Sequence, residues 1–135
     1  MQSAAVTVIV AIGLAGIYWF AFGEERHELQ RRRHQVTDIN LACHLYAEHH
    51  EGVFPGELRQ LSEIYGENSP FLARAVAELE LVSPAAHVSN DSDKVLIRER
   101  SADTKGRRMC GYIDGRFEAH DADGRSFLVP EPGVL

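Results

Sequence analysis

Charge is missing from the start of this sequence. Between residues 3 and 23 there is no Lys, Arg, Asp or Glu, and every such side chain of the 135 residues lies from Glu24 onward. Cysteine is scarce. Two in the whole chain exclude a disulfide-dense mini-protein. Basic residues are outnumbered, 14 Lys and Arg against 20 Asp and Glu, and the formal charge of −6 argues against a nucleic-acid binder. There is no Gly-x-Ser-x-Gly elbow and no phosphate-cradling glycine loop, so no catalytic residue is assigned and an enzyme is not expected. The remainder is ordinary for a foldable chain, with 44% hydrophobic and 25% charged residues. Its length allows one domain, or one small domain with an appendage.

The uncharged run, residues 4–23, is about the length that spans a bilayer core as a helix. Ile9, Ile12, Leu14, Ile17 and Trp19 are the expected membrane anchor, with Tyr18 and Trp19 near the headgroups. A cleaved signal peptide is the rival reading, because Ala21-Phe22-Gly23 offers small residues to a signal peptidase. On that alternative the product is a secreted or periplasmic binding module. Arg26, Arg31, Arg32 and Arg33 follow the run, and the positive-inside rule alone would keep the rest of the chain in the cytoplasm as an anchored adaptor.

Beyond the run no Gly or Pro intervenes until Gly52. Val36, Ile39, Cys43 and Tyr46 recur at helical spacing, and Ala42 and Leu45 widen the stripe. One helix is therefore expected from about residue 4 to about residue 50, capped by Gly52. Residues 56–66 read as a short second helix. Ser69-Pro70 opens a third, with Ser as N-cap and Pro in the first turn. Residues 94–100, 107–113 and 116–120 read as strands, the last two joined by a two-residue type I′ hairpin turn at Asp114-Gly115. No internal repeat is evident. The fold class expected is α+β, a pilin-like lollipop: a long N-terminal transmembrane and amphipathic helix, short helices and a three-stranded antiparallel meander. Its parts are a transmembrane anchor over 1–23, a helical stem over 24–51 and a small head over 52–135.

Ile39-Asn40-Leu41-Ala42, Leu45-Tyr46-Ala47, Gly52 and Phe54-Pro55, followed by Leu58 and Leu61, resemble a stretch of bacterial prepilin-type, type II secretion pseudopilin-like proteins. Residues 106–118, with Asp114 and Gly115, resemble the Asp-Gly hairpin near the C-terminus of that family. The family's basic leader and Gly-Phe-Thr-Leu-Ile-Glu peptidase site do not precede the apolar run, and Thr104 and Arg116 stand where the family has His. The resemblance implies a single-pass protein of the bacterial inner membrane with its head on the periplasmic or extracellular side. It would serve as a structural or assembly component of a type II secretion or type IV pilus-like system. The partners implied are the lipid bilayer and other pilin-like subunits or secretion-system proteins.

No cofactor is expected. Calcium has two weak candidate ligands, Asp121 and Asp123, in an Asp-x-Asp-Gly fragment that is half of an EF-hand loop. The resemblance adds to that candidacy, since such pseudopilins can hold calcium in a C-terminal loop. His44, His49 and His50 do not stand at the i, i+4 spacing of a helical metal pair and read as a polar helix end. Cys110 shares a strand face with Arg108 and Tyr112, opposite Met109 and Ile113. It is expected to point away from the stem, leaving Cys43 and Cys110 unbridged.

Overall fold

The computed structural model describes residues 2–89 and 92–129, with side chains from residue 23 onward. Arg32–Val129 forms one compact unit, and residues 1–31 belong to another. The helix α1, Gln2–His49, contributes to both. Within the unit of residues 1–31, Arg31 and Glu28 pair at 2.6 Å, one helical turn apart. The remaining description concerns residues 32–129.

Two features of the expected architecture are corrected. Among the described residues no helix is long and apolar enough to cross a membrane, because from residue 24 α1 is densely charged. The side chains assigned to the anchor, Ile9, Ile12, Leu14, Ile17 and Trp19, lie outside those described. The sheet is not a three-stranded meander but has five antiparallel strands in sequential order: β1 Leu79–Leu81, β2 Val95–Glu99, β3 Arg108–Tyr112, β4 Phe117–His120 and β5 Ser126–Phe127. The pilin-like lollipop does not hold as the fold class on either count.

α1 ends where the backbone turns left-handed at Glu51 and Gly52, and the Gly52 N–H caps the Ala47 carbonyl at 2.8 Å. A 3-10 turn, Leu58–Leu61, leads into α2, Ser62–Tyr65. α3, Pro70–Glu78, starts as its sequence dictates: the Ser69 hydroxyl accepts from the Leu72 N–H, and Pro70 occupies the first turn. The helix then stops at Leu79. Leu-Glu-Leu alternates in period two, and the chain continues as β1 instead of extending α3.

Strand alternation sorts the sheet into two faces. Ile97, Gly111 and Phe117 are cross-strand partners on one, and Met109, Ala119 and Phe127 on the same side. α1 covers this inner face with Val36, Ile39, Ala42 and Cys43, all buried. Each fully buried Ile or Val contributes about 1.5–3 kcal/mol relative to exposure. Leu45, expected to widen that stripe, is instead 39% exposed. The helix approaches closely at one point: a Cβ on Gly111 would lie 2.8 Å from Asn40 Cγ, so only glycine fits there.

A repeat absent from the expectations organises the C-terminal half. Gly106-Arg107, Gly115-Arg116 and Gly124-Arg125 recur every nine residues, and each pair closes a turn of the same construction. At residues 112–116 the Gly115 N–H donates to Tyr112 O at 2.9 Å and the Tyr112 N–H to Arg116 O at 2.8 Å. Residues 103–107 and 121–125 repeat both bonds. Only the glycine of each turn has positive φ, +78°, +88° and +80° in order. The Asp114-Gly115 turn is therefore a three-residue loop with a glycine bulge, not type I′, which needs positive φ at both central residues.

Candidate functional site

The inner face carries charge as well as apolar side chains. Arg32 reaches from α1 to Glu99 on β2, its Nε and Nη2 donating to the two carboxylate oxygens at 2.8 and 2.7 Å, while its Nη1 donates to Asp103 at 2.8 Å. Arg32 and Glu99 are each 6% exposed. Glu99 also accepts from the Met109 N–H, which leaves the buried carboxylate fully engaged. Burial pushes the Asp103 carboxyl up. Hydrogen bonds from the Arg107 N–H, Arg32 and the Arg107 side chain outweigh it and hold that carboxyl well below the usual carboxylate range. Further along α1, Asn40 donates to Tyr112 O at 3.2 Å, and the His44 ring lies between Asn40 O and Ile113 O at 2.8 Å each. These contacts fasten α1 to the hairpin of β3 and β4 and are structural.

The chemistry-bearing groups converge on the outer face. Cross-strand pairing aligns Glu80, Arg98, Cys110 and Glu118 in one row. Beside it, Arg108 pairs with His120. Cys110 Sγ lies 3.8 Å from His120 Nδ1, and His120 Nε2 lies 2.9 Å from Glu118 Oε2. The same oxygen accepts from the Tyr112 hydroxyl at 2.7 Å. The Arg116 guanidinium stacks 4.3 Å over the Tyr112 ring and approaches Glu118 at 3.6 Å. The Tyr112 hydroxyl and His120 lower the Glu118 pKa. Ionised, Glu118 can only accept, so His120 carries its proton on Nε2 when neutral and turns a bare Nδ1 toward the sulfur. Burial pushes the Cys110 thiol up, which keeps it protonated and weakens it as a nucleophile.

Cys110 thus faces away from α1, and both cysteines are free. Cys43 is wholly buried, its thiol pushed up to about 12 by burial. Asp114 and Gly115 sit in their turn, where Asp114 Oδ1 accepts from the Arg116 N–H at 2.9 Å. Of the two weak calcium candidates, Asp121 closes its turn, its Oδ1 accepting from the Asp123 and Arg125 N–H groups, both at 2.9 Å, and Asp123 enters that turn through its backbone N–H. Among the described residues no group of three or more His, Cys, Asp and Glu is arranged to hold a metal ion. His50 pairs with Glu63 at 2.8 Å and stacks on Tyr46, apart from His44.

Sequence reasoning missed Arg32, Glu99 and Asp103, whose partners lie 67 and 71 positions apart with no local signal. Cys110, Glu118 and His120 could have been found, since a hairpin centred on Asp114-Gly115 brings the three together by register. Comparison of the chain with protein-family models, with curated proteins and with solved structures finds no match.

Proposed function

We propose that the chain is a structural or assembly component of the bacterial envelope, pseudopilin-like in role. It acts at the inner membrane with its head outside the cytoplasm, and by binding protein partners, not by catalysis. The observation that carries this reading is the pair Leu41 and Leu45. They lie one turn apart on α1, 58% and 39% exposed, while Val36, Ile39 and Cys43 on the same helix are buried. An apolar ridge of this kind suits ridge-into-groove packing against a helix of another pilin-like subunit. The sequence resemblance around residues 39–55 supports the same role.

A photo-crosslinking amino acid at Leu41, in bacteria that make the chain, tests it. Adducts with pilin-like or secretion-system subunits are expected, and Leu45→Glu should abolish them without lowering the melting temperature. Adducts unaffected by Leu45→Glu, or none at all, would overturn the reading. A C-terminal alkaline phosphatase fusion should be active. An inactive one would refute the exported head.

A further inference from the structure

We infer that copies of this chain join edge to edge, β5 of one pairing in parallel with β1 of the next, so that the sheet runs on from copy to copy. The inference goes beyond the Leu41 and Leu45 ridge. It uses the two ends of the sheet, and its partner is a second copy of the chain.

Among the described residues both ends of the sheet are open, since β1 and β5 each pair with one strand only. Along β1 the bonds to β2 run through Glu78, Glu80 and Val82. The Arg100 N–H donates to Glu78 O and the Val82 N–H to Leu96 O, both at 2.8 Å. Alternation therefore turns the Leu79 and Leu81 carbonyls and the Leu81 N–H outward. The Leu79 N–H is already spent on Ala75 O at the end of α3. Along β5 the Asp121 N–H donates to Arg125 O at 2.8 Å, so Arg125 and Phe127 bond toward β4 while the Ser126 and Leu128 backbones face away. A groove of about 490 Å³ beside Leu81, lined by Gly56, Leu58, Val76 and Pro84, leaves room for an incoming strand.

The two edges match in one register. Five antiparallel strands in sequential order leave β1 and β5 running the same way, so a parallel ladder joins them without inverting a copy. Phe127 then stands opposite Leu81. The Ser126 N–H donates to Leu79 O, the Leu81 N–H to Ser126 O and the Leu128 N–H to Leu81 O, and no bond falls on the spent Leu79 N–H. The faces agree, because Leu81 and Phe127 both belong to the inner side through Ile97 and Ala119. On the outer side Leu128, 96% exposed, comes opposite Val82, 40% exposed, and each covers the other. Charge is complementary as well. Ser126 falls opposite Glu80, which brings Arg125 alongside that carboxylate. Arg98 bonds only Glu80 Oε1, through Nε at 2.8 Å and Nη2 at 2.7 Å, and leaves Oε2 open. Among the described residues the exposed Arg125 guanidinium has no partner within its own copy. The contact joins two different surfaces, so one copy leaves a free edge for the next and a row of copies grows in one direction.

The test places a benzophenone amino acid at Val82 in the purified full-length chain, mixed from nitrogen-15-labelled and unlabelled halves. Illumination should give dimers and longer multiples in which the probe of one copy is bonded to the peptide beginning at Ser126 of another, labelled and unlabelled peptides combining freely. Within one copy β1 and β5 are four strand spacings apart, about 19 Å, beyond the reach of the probe. Leu128→Glu should lower the adduct yield about tenfold or more. Leu128→Pro, which removes the outward N–H, should lower it too, and neither should shift the melting temperature. Arg125→Glu should lower the yield about threefold, and Glu80→Arg in the same chain should restore it. Adducts that map to β1 of the second copy, adducts undiminished by Leu128→Glu, or none at all would overturn the inference. The probe reads the purified chain alone, so failure here leaves the Leu41 and Leu45 reading standing, and failure of the crosslinking at Leu41 leaves the two edges untouched.

Discussion

Arg98 and Glu99 are neighbours on β2, and strand alternation sends them to opposite faces of the sheet. Each belongs to an arginine–glutamate pair whose closest approach is 2.7 Å. The inner pair, Arg32 with Glu99, has side chains 7% and 8% exposed. The outer pair, Arg98 with Glu80, has 42% and 32%. Distance therefore says nothing about which pair matters. Outside, water screens both charges and competes for them, and such pairs contribute about 0–1 kcal/mol. Inside, neither charge can recover its hydration if the other is removed. The inner pair thus acts as a lock whose loss leaves a buried ion stranded.

The sharpest way to break this contrast is Arg32→Ala. It strands Glu99 and releases Asp103, and chemical denaturation should record a loss of about 3–5 kcal/mol. A loss under 1 kcal/mol would put both faces on the same footing. Next comes Gly111→Ala, which drives a Cβ into Asn40 and forces α1 off the inner face at a cost of about 1–3 kcal/mol. Combining it with Asn40→Ala should return part of that loss, and strict additivity in the double-mutant cycle would refute the contact.

A smaller difference separates two turns of one design. Gly106 and Gly124 share φ near +80°, so an alanine at either costs about 1–2 kcal/mol of backbone strain. At Gly106 the new Cβ would also lie 2.6 Å from the Ala122 Cβ, whereas at Gly124 nothing lies within 4 Å. Gly106→Ala should therefore melt below Gly124→Ala. The smallest effect belongs to the outer pair: Arg98→Ala should shift stability by less than about 1 kcal/mol, and raised salt should shrink even that.

The two faces also differ in how far the sequence reveals them. The central strands β3 and β4 follow from the Asp114-Gly115 turn signal, β2 from the short apolar run Val95-Leu96-Ile97, and the start of α3 from Ser69-Pro70, because those signals are local. β1 was hidden because Leu-Glu-Leu directly follows helix-forming residues, and only pairing with β2 decides its state. β5 is two residues long, below the reach of any periodicity. The nine-residue repeat rests mainly on the three Gly-Arg pairs, with Asp at 103 and 121 but Tyr at the matching position 112, and most residues between them differ in character. On the outer face the Cys110, Glu118 and His120 cluster is implicit in the hairpin register. On the inner face Arg32 reads as one more arginine of a charged helical arm, and nothing near it in sequence announces Glu99. Turn type was beyond the dipeptide signal, since Asp-Gly serves both the type I′ turn and the bulged loop that forms.

The sequential order of the strands has a kinetic consequence. Each hairpin from β3 to β5 closes a loop of a few residues. The bonds that seat α1 close loops of 67 to 72 residues, as in Arg32 to Glu99 and Asn40 to Tyr112. Closure entropy favours the short loops first. The glycine turns then belong to the folding nucleus, and the helix is the last piece to dock. Alanine at Gly115 should slow refolding, whereas alanine at Arg32 should leave refolding nearly unchanged and hasten unfolding. The inner lock would then set how long the folded molecule lasts, and the repeated turns how quickly it is made.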